Sequence, residues 1–437
     1  MRRMRWWNSE TGGAVRAGLV TALCMSAGLV LVSEVAAEAG AYFPAVYVIA
    51  AALAAFGTLA LGRLRLAVAL GPDLMTAGWL MALLVISHGL TLGQIYALLA
   101  VVAIFVCAAV FTGAAARIVA SIPLCIRQAL PLALGAMMVL WGLECGRMLL
   151  ASPVHLVMLG NYADPLAYFS LLGIVLILGL RALGVRQAVG AGLLVTAALS
   201  FVEGFWIVPP APFYAPEGLD RSIGLFLLAG EGDAKAFATM VAVAPWLFLV
   251  MILSFWGTWQ ALGAGRGTED GTRDDAPPRK PLCVSALANL LAALCGMTPM
   301  TAAPESALAG EAGRAHPRAY AAGTAIGLVF LLCAAPLARE LASFPAMLVP
   351  CIVASGLFLL SRTRLGWEGL DLAERTAAIA LVVLVPLTYD MALSCGVATV
   401  AYVLLKVLAN RAQDVTRLMR GLAAFTVLIV FFDAWLF

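Results

Sequence analysis

Charge is scarce in this chain. Asp, Glu, Lys and Arg make up 12% of its 437 residues, against 63% apolar ones. That is too little charge to cover a soluble globule, in which roughly a quarter of residues carry it, and the mean hydropathy of +1.00 excludes the same class. Basic residues are spread among loops with no stripe, and the net charge is only +3, so no nucleic-acid partner is expected. Only three histidines occur, His88, His155 and His316, none at metal-ligand spacing. Neither a phosphate-binding glycine loop nor a nucleophile motif is present, so an enzyme is not expected, nor a metal or cofactor. The nine cysteines stand singly in apolar runs without a CxxC, which suits helix packing. The first apolar run follows MRRMRWWNSE and has no cleavage site, so the first helix is expected to stay.

Long apolar runs are what the chain has in abundance. Most are long enough to cross about 30 Å of hydrocarbon as helix, although some are short. The sequence therefore reads as an all-α polytopic membrane protein with about fourteen spans, among them a tenth at 300–314 and an eleventh at 318–338. With the N-terminus cytoplasmic, all of the 27 lysines and arginines except Arg147, Arg221, Lys235 and Arg339 fall on the cytoplasmic side, as the positive-inside rule requires. Leu422–Phe437 is left over, as a fifteenth span or a surface segment.

Two polar stretches punctuate the chain. The Pro- and Gly-rich stretch 206–235 reads as an external linker with a short amphipathic piece, and 263–280 reads as a mobile cytoplasmic loop. The first divides the spans seven plus seven. An odd number per half forces the halves to be inverted, the plan of many secondary transporters.

That plan predicts interrupted spans at matching positions, and a pair exists. LAVALGPDLMTAGWL (66–80) places Gly71, Pro72 and Asp73 inside an apolar run, and CGMTPMTAAPESALAGEAG (295–313) does the same with Pro299, Pro304 and Glu305. Proline removes a backbone donor and pushes the residue before it to extended conformations. Each site therefore reads as a short extended segment leading into a half-helix near midmembrane. A carboxylate at that depth costs at least about 2.5 kcal/mol to insert, so Glu305 needs a role: recognition of a substrate N–H or carriage of a coupling proton, with a helix cap or an internal ion pair as the plainer reading. Asp73 is balanced between the same functional role and an ordinary helix-start residue. Glu311 with Arg314, and Glu144 with Arg147, have the spacing of ion pairs.

At these residues the chain is similar to the nucleobase:cation symporter-2 family, especially its azaguanine-resistance-type purine permeases. The similarity runs through CGMTPMTAAPESALAGEAGRAHPRAY, where Pro304-Glu305-Ser306-Ala307-Leu308-Ala309-Gly310 matches the family's Ile-Glu-Ser-Ala-Ala-Gly turn. It continues through 53–72, IPLCIRQAL (122–130), ASPVHLVMLGN (151–161) and 386–408. The resemblance implies a 7+7 inverted-repeat transporter, with a core domain (1–120 and 235–340), a gate domain (121–205 and 341–437, including the C-terminal apolar segment) and an external linker (206–234). It also implies proton-coupled uptake of a purine base bound by Glu305 between the two broken spans, in the cytoplasmic membrane, and a homodimer. Span eight departs from the family: Met251 and Ser254 stand where acids are expected, Ala77 replaces an Asn, and Asp73 stands where a small residue is usual, as a relocated acid.

The candidate substrate-binding residues are therefore Glu305, Ser306, Thr301, Ser254, Asp73, Met251 and Trp256, with Phe255 and Trp256 as ring-stacking surfaces and Glu305 and Asp73 as candidate proton carriers. The alternatives are an anion transporter on the same fold, which a glutamate at the half-helix start disfavours, and a non-transporting permease-derived membrane protein.

Overall fold

The computed structural model describes residues 10–152, 157–185, 187–230, 234–263, 278–363 and 365–436. Arg2, Arg3, Arg5, His155, Arg186, Arg266, Arg273, Arg364 and most of the 263–280 loop lie outside them.

Among the described residues five helices begin at a side-chain cap. Thr91 and Gln94 form a reciprocal capping box, as do Asp371 and Glu374, while Asp73, Asp164 and Asp390 each accept from amides of a first turn. These side chains satisfy donors that a helix start leaves open. In the first half the elements are α1 (Glu10–Glu38), α2 (Phe43–Arg63), strand β1 (Leu70–Pro72) and half-helix α3 (Leu74–Gly78), whose chain continues in π winding over Trp79–Ser87. They are followed by α4 (Leu92–Phe111), α5 (Ala114–Ser121), α6 (Leu124–Cys145), strands β2 (Leu149–Ala151) and β3 (Val157–Leu159), α7 (Pro165–Ala182) and α8 (Ala188–Val202). The second half has α9 (Ala234–Leu262), α10 (Arg279–Leu294), strand β4 (Met300–Ala302), a 3₁₀ turn (Pro304–Ala309) and α11 (Gly310–Ala315). It ends with α12 (Pro317–Leu332), α13 (Ala335–Ser343), α14 (Val349–Arg362), α15 (Leu372–Thr388), α16 (Met391–Leu408) and α17 (Arg417–Leu436).

The two halves share one plan. Each has two long elements, a strand, a half-helix, a further span and then a short helix, α5 or α13, before its last three spans. Strands β1 and β4 pair antiparallel, with Leu70 opposite Ala302, Gly71 opposite Thr301 and Pro72 opposite Met300. This is the 7+7 inverted-repeat architecture. Among the described residues eight helices are long and apolar enough to cross a membrane unaided, or nine if the bent pair α12–α13 counts as one span. The shorter helices, such as α8 with 15 residues and α10 with 16, complete the seven-plus-seven plan between longer neighbours.

Packing gathers the helices into two groups: α1, α2, α4, α9, α10 and α12 pack among themselves, as do α6, α7, α8, α14, α15 and α16. Helix α9 also touches α6, α14 and α16, so it lies on the seam between the groups. In the second group Lys406 is 4% exposed and its ammonium donates to Asp371 at 2.6 Å and to Glu374 at 3.1 Å, tying the start of α15 to the end of α16. The 206–235 linker is pinned to the first group's second half, since the amide of Tyr214 donates to the Cys333 carbonyl at 2.8 Å and that of Gly224 to the Leu294 carbonyl at 3.1 Å.

Several expectations are corrected. The eleventh span does not run unbroken to 338: the chain turns by 79° after α12, where Pro336 in the first turn of α13 cannot donate back into the preceding helix. The half-helix expected after the extended segment of the tenth span is instead a 3₁₀ turn and a six-residue helix, because Gly310 takes a left-handed φ of 58° between them. Arg147 pairs with Asp164 at 3.2 Å, leaving Glu144 to accept from the Tyr389 hydroxyl at 2.6 Å. Arg314 donates to the Leu262 carbonyl at 3.4 Å, and no Glu311–Arg314 pair forms among the described residues. The β2–β3 hairpin, in a segment expected to be loop, was illegible because three-residue strands show no periodicity.

Small residues let the first group close. A Cβ on Gly18 would lie 2.3 Å from the Tyr320 carbonyl oxygen, and one on Gly323 2.4 Å from that of Val15. Helices α1 and α12 therefore meet backbone to backbone, the close approach that small residues allow in membranes. Gly323→Ala should gain about 1 kcal/mol in helix propensity yet lose about 1–3 kcal/mol to overpacking. A lower unfolding temperature in detergent is the expected outcome; a rise would show that the crossing is not as tight as described.

Candidate functional site

Backbone at membrane depth must find partners within the protein, and here each strand finds them on both sides. Beyond the β1–β4 ladder, the amide of Asp73 donates to the Pro299 carbonyl at 2.8 Å and that of Ala303 to the Ala69 carbonyl at 2.9 Å. On the outer edge of β1, the amide of Leu70 donates to the Thr58 hydroxyl at 3.0 Å, and just before the strand, on the side facing the β4 chain, that of Ala69 donates to the Ser306 hydroxyl at 2.8 Å. On that of β4, the amide of Met300 donates to the Asn289 side-chain oxygen at 2.5 Å, and the Ser285 hydroxyl donates to the Met300 carbonyl at 3.4 Å. The prolines stop both chains from continuing as helix, and polar side chains from α2, α10 and the 3₁₀ turn finish the pairing.

The ladder places two carboxylates at the ends of its strands. Asp73, directly after β1, accepts from the Thr76 amide at 3.2 Å and the Thr76 hydroxyl at 2.8 Å, so it caps α3. Its Oδ2 also accepts from the Ser254 hydroxyl of α9 at 2.8 Å. Ser254 stands 3.2 Å from the Thr301 hydroxyl. A serine has one proton to give, and the shorter contact to a carboxylate takes it, so Thr301 is free to donate to Ser254. Glu305 sits in the 3₁₀ turn after Pro304, and its Oε1 accepts from the Ser355 hydroxyl of α14 at 2.8 Å. Among the described residues neither acid has a Lys, Arg or His partner within salt-bridge distance.

Asp73, Ser254, Thr258, Thr301 and Glu305 line one cavity together with Met25, Gly28, Gly71 and Pro72. Its other wall is apolar and comes from the second helix group, with Leu134 and Met138 of α6 and Ile352 and Leu359 of α14. Two acceptor carboxylates and several hydroxyls on one wall, facing aliphatic side chains on the other, can hold a small flat molecule that offers N–H donors.

Of the residues singled out from sequence, Asp73, Ser254, Thr301 and Glu305 meet at this cavity, and four do not line it. Ser306 is turned back to accept from Ala69. Met251 is 4% exposed and lies one helical turn from Ser254, outside the lining. Trp256 is 1% exposed, two residues from Ser254 and so on the far side of α9 at about 100° per residue. It packs beneath the Arg127 guanidinium at 5.4 Å, and Phe255 stacks on Trp259 with centroids 6.0 Å apart, so neither ring faces the cavity. Two contributors went unforeseen. Thr258 was legible as the residue one turn after Ser254, whereas a lone Ser355 before Gly356 in an apolar helix looks like any packing serine.

Fold and site together define a multi-pass membrane protein of the inverted-repeat transporter class. The relatives carry the same resemblance as the Glu305 stretch, that to the nucleobase:cation symporter-2 family. The chain is 24% identical to the guanine/hypoxanthine permease PbuG of Bacillus subtilis (strain 168) over 74% of this chain and 71% of that one. It is also 24% identical to the adenine permease AdeP of Escherichia coli (strain K12), over 96% and 93% respectively. No family model matches. Among solved structures, the transmembrane domain of the cyanobacterial bicarbonate transporter BicA superposes with a TM-score of 0.59 at 16% identity, covering 87% of this chain and 97% of that one. The murine anion transporter Slc26a9, in the inward-facing state, gives 0.61 at 12%, covering 91% and 68%. At such identities these two show the fold alone.

The Ser306 hydroxyl accepts from the Ala69 amide, and that bond gives a clean test. Ser306→Ala leaves the buried amide of Ala69 without its acceptor, which costs about 1–3 kcal/mol. The expected result is a lower unfolding temperature that Ser306→Thr largely restores; equal temperatures in all three proteins would remove Ser306 from the ladder's support.

Proposed function

We propose that this chain is a secondary permease that takes up purine-type nucleobases with protons, binding the base between β1 and β4 and the apolar wall of the second helix group. The observation that carries the reading is the pair of carboxylates, Asp73 and Glu305, without a basic partner among the described residues, lining one cavity at the ends of two inverted strands. Relatives that are guanine/hypoxanthine and adenine permeases support the substrate class. A purine offers ring N–H donors and a flat apolar face, which suits acceptors on one side and aliphatic side chains on the other.

Burying a carboxylate without a cation is costly unless it is neutralised or hydrogen-bonded. Ligand N–H groups and a proton supply both remedies, so a cavity of this kind favours movement only when loaded. Glu305 is the proton carrier in this scheme and the acceptor for a ring N–H. Asp73 takes the place of the acid that span eight lacks, held by Ser254 and Thr76. Thr301 and Ser254 add hydroxyls to the same wall. The first helix group corresponds to a core domain (1–120 and 235–340) and the second to a gate domain (121–205 and 341–437), joined by the linker 206–234, and transport moves one against the other. The protein would work as a homodimer in the cytoplasmic membrane with its N-terminus inside, where the arginine asymmetry puts it.

Anion transport, which the solved structures of the same fold perform, fits the cavity less well. Among the described residues no basic side chain lines it, and two carboxylates would repel an anion.

The test is uptake of radiolabelled adenine, guanine, hypoxanthine, xanthine and uracil into proteoliposomes under an inward proton gradient. Wild type should accumulate at least one purine in preference to uracil. Glu305→Gln should lower that uptake about 10- to 100-fold, the worth of one hydrogen bond to a charged group, and abolish its response to the gradient. Wild-type uptake in that variant would take Glu305 out of the mechanism. Asp73→Asn keeps a good helix cap, so it should leave the unfolding temperature close to wild type while weakening purine binding about 10-fold or more. Unchanged affinity would return Asp73 to a capping role alone.

A further inference from the structure

The hydrogen bond between Ser355 and Glu305 joins the two helix groups. Glu305 belongs to the turn after β4, which packs mainly on α1 and also meets α9 and α14, whereas Ser355 belongs to α14, which packs mainly on α6 and α7. The bond is 2.8 Å long, and its donor is 6% exposed. Asp73 differs in this respect: its partners are Thr76 on its own half-helix α3, which packs mainly on α1, and Ser254 on the seam helix α9, and neither lies on α14.

We infer that Ser355 is a tether that holds the second helix group against the empty site, and that a ligand releases it by taking over Glu305. This deepens the reading of Glu305 as the acceptor for a substrate N–H and rests on it for the release step. A hydroxyl donating to a carboxylate is among the stronger protein hydrogen bonds. Sliding the groups apart with the site empty would strip that donor away and leave the acid in apolar surroundings with no side-chain donor, only its own backbone amide. A bound N–H replaces the Ser355 donor, so the groups part without that loss. Ser355 is thus a positioning residue that competes with the ligand for one carboxylate oxygen and suppresses movement of the unloaded protein.

Native cysteines report on the seam. Cys24 of α1 and Cys351, one turn before Ser355 on α14, are 0% and 1% exposed and lie within electrostatic reach of each other and of Glu305. In ligand-free protein, the rate at which N-ethylmaleimide alkylates Cys24 and Cys351, read by peptide mass spectrometry, should rise threefold or more in Ser355→Ala. It should stay at the wild-type value in Ser355→Thr, which keeps the hydroxyl. Glu305→Ala and the Ser355→Ala/Glu305→Ala double variant should show the same rise as Ser355→Ala alone, because each removes the same bond. In a binding assay with the purine that the wild type takes up, Ser355→Ala should bind at least threefold more tightly.

Alkylation equal to wild type in Ser355→Ala overturns the tether, as does a double-variant rise equal to the product of the two single ones. Weaker purine binding in Ser355→Ala overturns it too, because Ser355 would then be a direct ligand contact. Absence of any purine binding by wild type sinks the substrate reading alone and leaves the alkylation result to decide the tether.

Discussion

Everything at the site follows from one requirement: two stretches of extended backbone deep in a membrane protein must have every amide and carbonyl paired. Neither strand could meet it alone, because each is three residues long and ends in or near proline. Together they pair with each other across the inversion, and Thr58, Asn289, Ser285 and Ser306 take groups at the edges and ends. The cost of leaving even one such group unpaired, about 1–3 kcal/mol, explains why small polar residues appear in helices that are otherwise apolar.

That pairing also determines where charge can sit. Both acids immediately follow a strand and its proline-bearing break, at the places where the ladder ends and a new helical turn begins. A carboxylate there receives donors that the local chain already offers, as Asp73 does from Thr76. Span eight can therefore do without an acid: Ser254 of α9 reaches the Asp73 carboxylate, so negative charge stands beside the usual position though it is attached to a different span.

The sequence made the general plan legible because its signals were redundant. Proline and glycine marked both breaks, arginine asymmetry spaced the spans, and the odd number of spans per half implied inversion. Asp73, Ser254, Thr301 and Glu305 were legible because polar residues inside apolar runs are expensive and so stand out. What escaped detection depended on rotation and winding. Trp256 lies two residues from Ser254 and faces away from the cavity, a difference only the helix phase reveals. The 3₁₀ turn at 304–309 and the bend after α12 arise from local backbone choices at Gly310 and Pro336 that an apolar pattern does not encode. Ser355 escaped because its importance lies in its partner, fifty residues away in sequence.

The two acids, similar in surroundings, differ in what holds them, and that difference assigns them different work. Asp73 has three donors, two from Thr76 on its own half-helix α3 and one from Ser254 on the seam helix α9. Most of its hydrogen bonding is therefore local to its own segment. Glu305 has its side-chain donor on the opposing group, so its satisfaction depends on how the groups stand. An acid whose hydrogen bonding changes with conformation, and whose conformation in turn changes with ligand, links binding to movement without any further device. The inverted ladder anchors both acids, and the seam beside α14 supplies the side-chain donor of one of them.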